Sequence, residues 1–128
     1  MNETRPLIAV VDDEDSVRRA LARMLRASNY LVEGFASGQE FLASLESRHP
    51  ACVVLDLQMP GMTGRDVQRR LTSLQVKLPI IIVTAHDRPT LREQCLADGA
   101  VAYLAKPLRR EALISIIDTA IDRDSRHH

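Results

Sequence analysis

The sequence predicts one doubly wound α/β domain, and three observations carry that prediction. Unbroken apolar runs at Leu7 to Val11, Cys52 to Leu55 and Ile80 to Val83 read as parallel strands covered on both faces. One-face helical stretches separate the strands, so successive strands need crossover connections. Polar residues then stand at the carboxyl ends of the runs, where open α/β sheets place their ligands: Asp12-Asp13, Asp56, Thr84 and, after a milder fifth run, Lys106. A chain of 128 residues fits one such domain and leaves little room for a second core.

Each element has its own signal. After the first strand, Val17, Ala20, Leu21, Met24 and Leu25 share one helical face. Leu31-Val32-Glu33-Gly34-Phe35 mixes polar and small residues, as a less protected edge strand does. Ser37 and Glu40 have capping-box spacing, and the helix they open is expected to bury Phe41, Leu42 and Leu45. Asp56 closes the third strand, Thr63 caps a third helix, and Val67, Leu71 and Leu74 face inward. Thr84 ends the fourth strand. Asp87 and Pro89 open a fourth helix that Gly99 closes, with only the narrow stripe Leu91, Cys95 and Leu96 to bury, so this helix should be the easiest to displace. Val101 to Ala105 forms the other edge strand, and Leu113, Ile116, Ile117, Ala120 and Ile121 line the inner face of the last helix. The expected organisation is an extension at 1–6, one domain at 7–123 and a polar tail at 124–128.

Composition excludes several functions. Lys plus Arg equals Asp plus Glu at 17 each, so the chain lacks the basic field that supports non-specific nucleic-acid binding, and no direct nucleic-acid contact is expected. No apolar run approaches the roughly 20 residues that span a bilayer, and the N-terminus lacks a signal-peptide core. A cytoplasmic protein without membrane contact is expected. Cys52 and Cys95 have no metal-ligand spacing and read as reduced core thiols; His49 and His86 read as surface histidines.

If the strands take the flavodoxin-like order 2-1-3-4-5, the first and third are neighbours about 4.8 Å apart, and Asp12, Asp13 and Asp56 meet at the switch point of the sheet. Thr84 and Lys106 follow along the same edge. Taken singly, an acidic pair is often a helix N-cap, Asp56 a turn residue, Thr84 a strand terminator and Lys106 a surface charge. Convergence favours a common site over four separate structural roles. Three carboxylates in one cleft repel one another, which should raise at least one pKa in the absence of metal.

Five separated motifs resemble the receiver domain of two-component response regulators: Val10-Val11-Asp12-Asp13, Leu55-Asp56 through Thr63-Gly64, Thr84-Ala85, Gly99-Ala100 and Tyr103-Leu104-Ala105-Lys106-Pro107. The likeness extends from about Leu7 to Asp122, and the texture around Phe35-Ala36-Ser37-Gly38 and Val83-Thr84-Ala85-His86 is most similar to the branch with LuxR-type helix-turn-helix output. The resemblance implies that Asp56 accepts a phosphoryl group from a phosphohistidine on a sensor histidine kinase or phosphotransfer protein and loses it slowly by hydrolysis. It implies Mg2+, with Mn2+ as a substitute, held by Asp13, Asp56 and the backbone carbonyl of Gln58, with Asp12 acting through water. Lys106 and Thr84 would read the phosphoryl oxygens, small Ala85 would leave an access path, and Gln58 and His86 would set the phosphoryl lifetime. By the same resemblance the Lys106-Pro107 peptide is cis, Tyr103 turns inward once Thr84 moves, and the fourth-helix, fifth-strand, fifth-helix face changes shape to control homodimerisation or an output domain in transcription regulation. Arg18, Arg19, Arg23 and Arg26 on the first helix read first as a solvated face, and they also lie where a kinase helix would dock near Asp56. Two other classes remain: a constitutively dimerising pseudo-receiver, disfavoured by the intact Asp12, Asp13, Asp56, Thr84 and Lys106 set, and a Mg2+-dependent phosphohydrolase, disfavoured because Asp56 is followed by Leu57-Gln58 rather than a DxD pattern.

Overall fold

A computed structural model describes residues 5–126 of the chain, with side chains over residues 5–122. Residues 1–4 of the expected extension and 127–128 of the expected tail lie outside the described residues. Strands and helices alternate: β1 (Leu7–Val11), α1 (Asp15–Ala27), β2 (Leu31–Phe35), α2 (Gly38–Ser44), β3 (Cys52–Asp56), α3 (Gly64–Ser73), β4 (Ile80–Thr84), α4 (Pro89–Ala97), β5 (Ala102–Ala105) and α5 (Arg110–Arg126). All strand pairs are parallel, and the sheet order is β2-β1-β3-β4-β5, the flavodoxin-like order expected from the sequence. α5 continues past residue 123, where the fold was expected to end.

The two-residue period of the strands divides their apolar side chains between two cores. Val53 and Leu55 of β3 join Phe41, Val67, Leu71, Ile82 and Tyr103 beneath α2, α3 and α4. Cys52 and Val54 join Ile8, Val10, Leu25, Ile81, Leu113 and Ile117 beneath α1 and α5. Both faces of β3 and β4 are therefore buried throughout, which is why these segments carry no polar alternation, whereas edge strand β2 is half-buried. Each large aliphatic side chain so buried contributes about 1.5–3 kcal/mol.

Several expectations about faces and caps change. Ala20 is exposed on α1 and Ala22 is buried, while Val17, Leu21, Met24 and Leu25 of the expected face pack on the core as read from the sequence. Leu74 is 51% exposed, not inward: it caps α3, and the chain turns away immediately through Gln75 at φ 59. Leu96 of the expected α4 stripe is also exposed, which leaves Cys95 as the buried residue of that helix. Asp87 does not open α4; the N-cap is Arg88, with Pro89 at the first helical position, while Gly99 at φ 108 closes the helix as expected. At α2, Ser37 accepts the Glu40 N–H at 3.1 Å, but the Glu40 carboxylate takes the N–H of Ala36 rather than that of Ser37. The complete reciprocal box is at α3, between Thr63 and Asp66.

Candidate functional site

The carboxyl ends of β1, β3, β4 and β5 bring four chain segments to one cleft. Asp12 follows β1, and its backbone N–H still bonds to the Phe35 carbonyl at 3.1 Å, so the residue is held as a continuation of the sheet. One carboxylate oxygen of Asp12 accepts the Glu14 N–H at 2.9 Å, while Arg18 fastens the Asp12 carbonyl at 2.7 Å. Asp13 beside it is exposed. Asp56 is the last residue of β3, and Gly64 closes against it: a Cβ on Gly64 would lie 2.5 Å from the Asp56 carbonyl oxygen. Only glycine lets the start of α3 approach the strand end this closely.

Carboxylate oxygens of Asp12, Asp13 and Asp56 all lie within 4.8 Å of one another. Lys106, delivered by β5 through a bond from its N–H to the Thr84 carbonyl, reaches Asp12 at 2.9 Å and Asp56 at 3.2 Å. The Lys106-Pro107 peptide is cis. Burial, then the charge of Asp12, pushes the Asp56 carboxyl up to about 6, with Lys106 only partly offsetting them. Burial alone would lower the Lys106 ammonium, but the Asp12 hydrogen bond and the two carboxylate charges outweigh it and raise its pKa. An all-oxygen set of three carboxylates, one of them exposed, suits a hard divalent cation such as Mg2+ that keeps several waters.

Thr84 is fully buried at the end of β4. Its hydroxyl donates to the Gln58 side-chain oxygen at 2.5 Å and accepts the His86 N–H at 3.0 Å. Ala85 and His86 are exposed on the rim. Tyr103, expected to turn inward only after Thr84 moves, already has its ring inside the core at 3% exposure. Its hydroxyl accepts the Arg88 N–H at 3.4 Å, and the Arg92 guanidinium lies 5.8 Å from the ring centroid.

On the other side of Lys106, Val17, Ala20, Leu21, Met24, Pro107 and Leu108 line an apolar groove of about 500 Å³. Arg18 and Arg26 of the basic face are tied to backbone carbonyls, and Arg19 pairs with Asp15. The bond from Gln58 to Thr84 and the ties from Arg65 and Gln68 to α4 had no counterpart in the sequence reading. Each joins segments 26 or more residues apart, and no local spacing announces it.

Parallel α/β topology with carboxylates, a hydroxyl and an ammonium on one sheet edge defines a class of signalling domain. The chain belongs to the response regulator receiver domain family, whose model matches residues 8–118. It is 35% identical over 121 residues to nodulation protein W of Bradyrhizobium diazoefficiens, covering 94% of this chain and 53% of that protein. It is also 35% identical to the response regulator protein TmoT of Ectopseudomonas mendocina, over 94% of this chain and 55% of that one. The chain thus spans about half the length of these curated relatives. Among solved structures it superposes on FixJ-N with a TM-score of 0.86 at 31% identity, covering 94% and 96% of the two chains. For a response regulator receiver protein from Burkholderia phymatum the TM-score is 0.82 at 43% identity, over 92% and 96%.

Proposed function

We propose that this domain is a phosphorylation-activated switch in which Asp56 accepts a phosphoryl group from a phosphohistidine. The observation that carries this reading is the gathering of Asp12, Asp13 and Asp56 within 4.8 Å, with the Lys106 ammonium against two of them. An Asp56 oxygen attacks phosphorus, the P–O bond forms as the P–N bond of the donor breaks, and the electron pair leaves with the imidazole. Asp13, Asp56 and the Gln58 backbone carbonyl would hold Mg2+, or Mn2+ in its place, with Asp12 reaching it through water. When bound, such a cation screens the repulsion between the carboxylate and the incoming phosphoryl oxygens.

Lys106 neutralises one phosphoryl oxygen, Thr84 turns its hydroxyl to another, and Ala85 leaves the approach open. Gln58 and His86 border the cleft and set the lifetime of the adduct. Tyr103 packs beneath α4, where a change at Thr84 alters the α4-β5-α5 face and so a homodimer or output surface. The donor is a sensor histidine kinase or phosphotransfer protein, and the apolar groove beside α1 suits one of its helices. A full-length protein resembling the transcriptional regulatory protein FixJ of Rhizobium meliloti would regulate transcription in the cytoplasm, with DNA contact made by another domain.

Incubation with Mg2+ and a small-molecule phosphodonor tests the reading. Wild type should gain an acid-stable, base-labile phosphoryl adduct that Asp56→Asn lacks. A wild-type chain that takes up no phosphoryl group would instead be a pseudo-receiver.

A further inference from the structure

Resting on that reading and deepening it, we propose that the Gln58 side chain is a positioning residue that competes with the phosphoryl group for the Thr84 hydroxyl. A threonine hydroxyl has one proton to donate. In this structure that proton is committed to the Gln58 amide oxygen at 2.5 Å, and Thr84 is fully buried, so no bulk water shares the task. Both the Gln58 oxygen and a phosphoryl oxygen are acceptors. Thr84 does not donate fully to both, so its donation to a phosphoryl oxygen breaks the bond to Gln58.

The competition reaches beyond the cleft because Thr84 is also an acceptor. Its oxygen holds the His86 N–H at 3.0 Å, and two residues on, the Arg88 N–H bonds to the Tyr103 hydroxyl. Gln58 therefore pins, through Thr84, the loop that leads into α4. Tyr103 is already inward, which leaves rearrangement of Thr84 and its loop as the step still to be made when phosphate arrives. Gln58 itself is exposed and contributes little to the core, so its side chain is free to be exchanged without loss of the fold.

The probe is beryllofluoride with Mg2+, a stable mimic of the phosphoryl group, titrated into the whole chain and followed by calorimetry and amide NMR. Gln58→Met keeps the length of the side chain and removes the acceptor. It should bind beryllofluoride about two- to tenfold more tightly than wild type, the equivalent of one net hydrogen bond no longer lost. The gain should vanish in a Thr84→Val background, where nothing remains to compete for. The His86 amide resonance of free Gln58→Met should shift toward its position in beryllofluoride-bound wild type, a change that general loosening of the fold would not produce. Equal or weaker binding by Gln58→Met, or a gain that persists with Thr84→Val, overturns the competition alone. Failure of wild type to bind beryllofluoride overturns the phosphoryl-site reading and the competition with it.

Discussion

Asp56 is only 4% exposed, and it is close enough to Asp12 that ionising it in the metal-free protein is unfavourable. Its carboxyl is pushed up to about 6, above the value near 3.9 that an unfolded chain would show, so the folded state binds its proton more tightly than the unfolded state does. The stability this confers is fully present below about pH 4 and is lost as pH rises through 6. Replacing the carboxylate removes the penalty. In EDTA, Asp56→Asn should therefore exceed wild type by about 1–3 kcal/mol at pH 7.5, with the gap closing as pH falls from 6 toward 4. Urea unfolding at a series of pH values measures this, and a gap independent of pH would contradict the assigned environment. The same variant loses a contact to Lys106, but that ammonium keeps its 2.9 Å bond to Asp12.

α4 shows how an element can be held without much apolar burial. Its buried side chain is Cys95, half-buried Leu91 packs against the same core, and polar ties add to these: Arg65 of α3 bonds Gln94 at 2.9 Å and Asp98 at 2.7 Å, and Gln68 bonds the Cys95 carbonyl at 2.9 Å. Such ties are directional and part discretely, as the proposed displacement of α4 would require. Arg65→Ala should raise amide hydrogen exchange within α4 several-fold while leaving the protection of β3 and β4 intact, at a cost to global stability of about 1 kcal/mol or less, since the pair is partly exposed. Unchanged exchange in α4 would show that Arg65 does not hold it. The narrow apolar stripe of this helix was legible in the sequence, and so were the buried strands, because period and burial are local properties. The Arg65 and Gln68 ties were not, since they join residues 27 to 33 positions apart whose proximity exists only once α3 and α4 lie side by side. Ala20 and Leu74 failed for a related reason: both sit at the margin of a helical face, where an isolated helical wheel does not fix burial, and the turn at Gln75 that lifts Leu74 out lies beyond the helix.

At the scale of the molecule, the order β2-β1-β3-β4-β5 turns residues scattered from 12 to 106 into one acidic cleft. The strand-end residues were legible because an apolar run that stops at Asp or Thr is a local pattern; that Tyr103 lies inward and Thr84 bonds Gln58 depends on packing that no run records. A cleft with three carboxylates and one ammonium is assembled against its own repulsion, and folding is what brings those charges together. A ligand that relieves the repulsion binds the folded state and not the dispersed chain, so it must stabilise the fold by RT ln(1 + [L]/Kd), about 2.7 kcal/mol at a hundredfold excess over Kd. Magnesium at that excess should raise the thermal midpoint by roughly 3–5 °C per kcal/mol for a domain of this size, whereas KCl at matched ionic strength should not. Asp13→Asn tests whether the gain comes from the cleft: Asp13 is exposed and its charge is the smallest of the contributions that disfavour ionised Asp56, so its replacement should raise the metal-free midpoint only slightly while abolishing most of the magnesium increment. An equal increment in Asp13→Asn would place the ion elsewhere on the surface and deny the three carboxylates a shared cation.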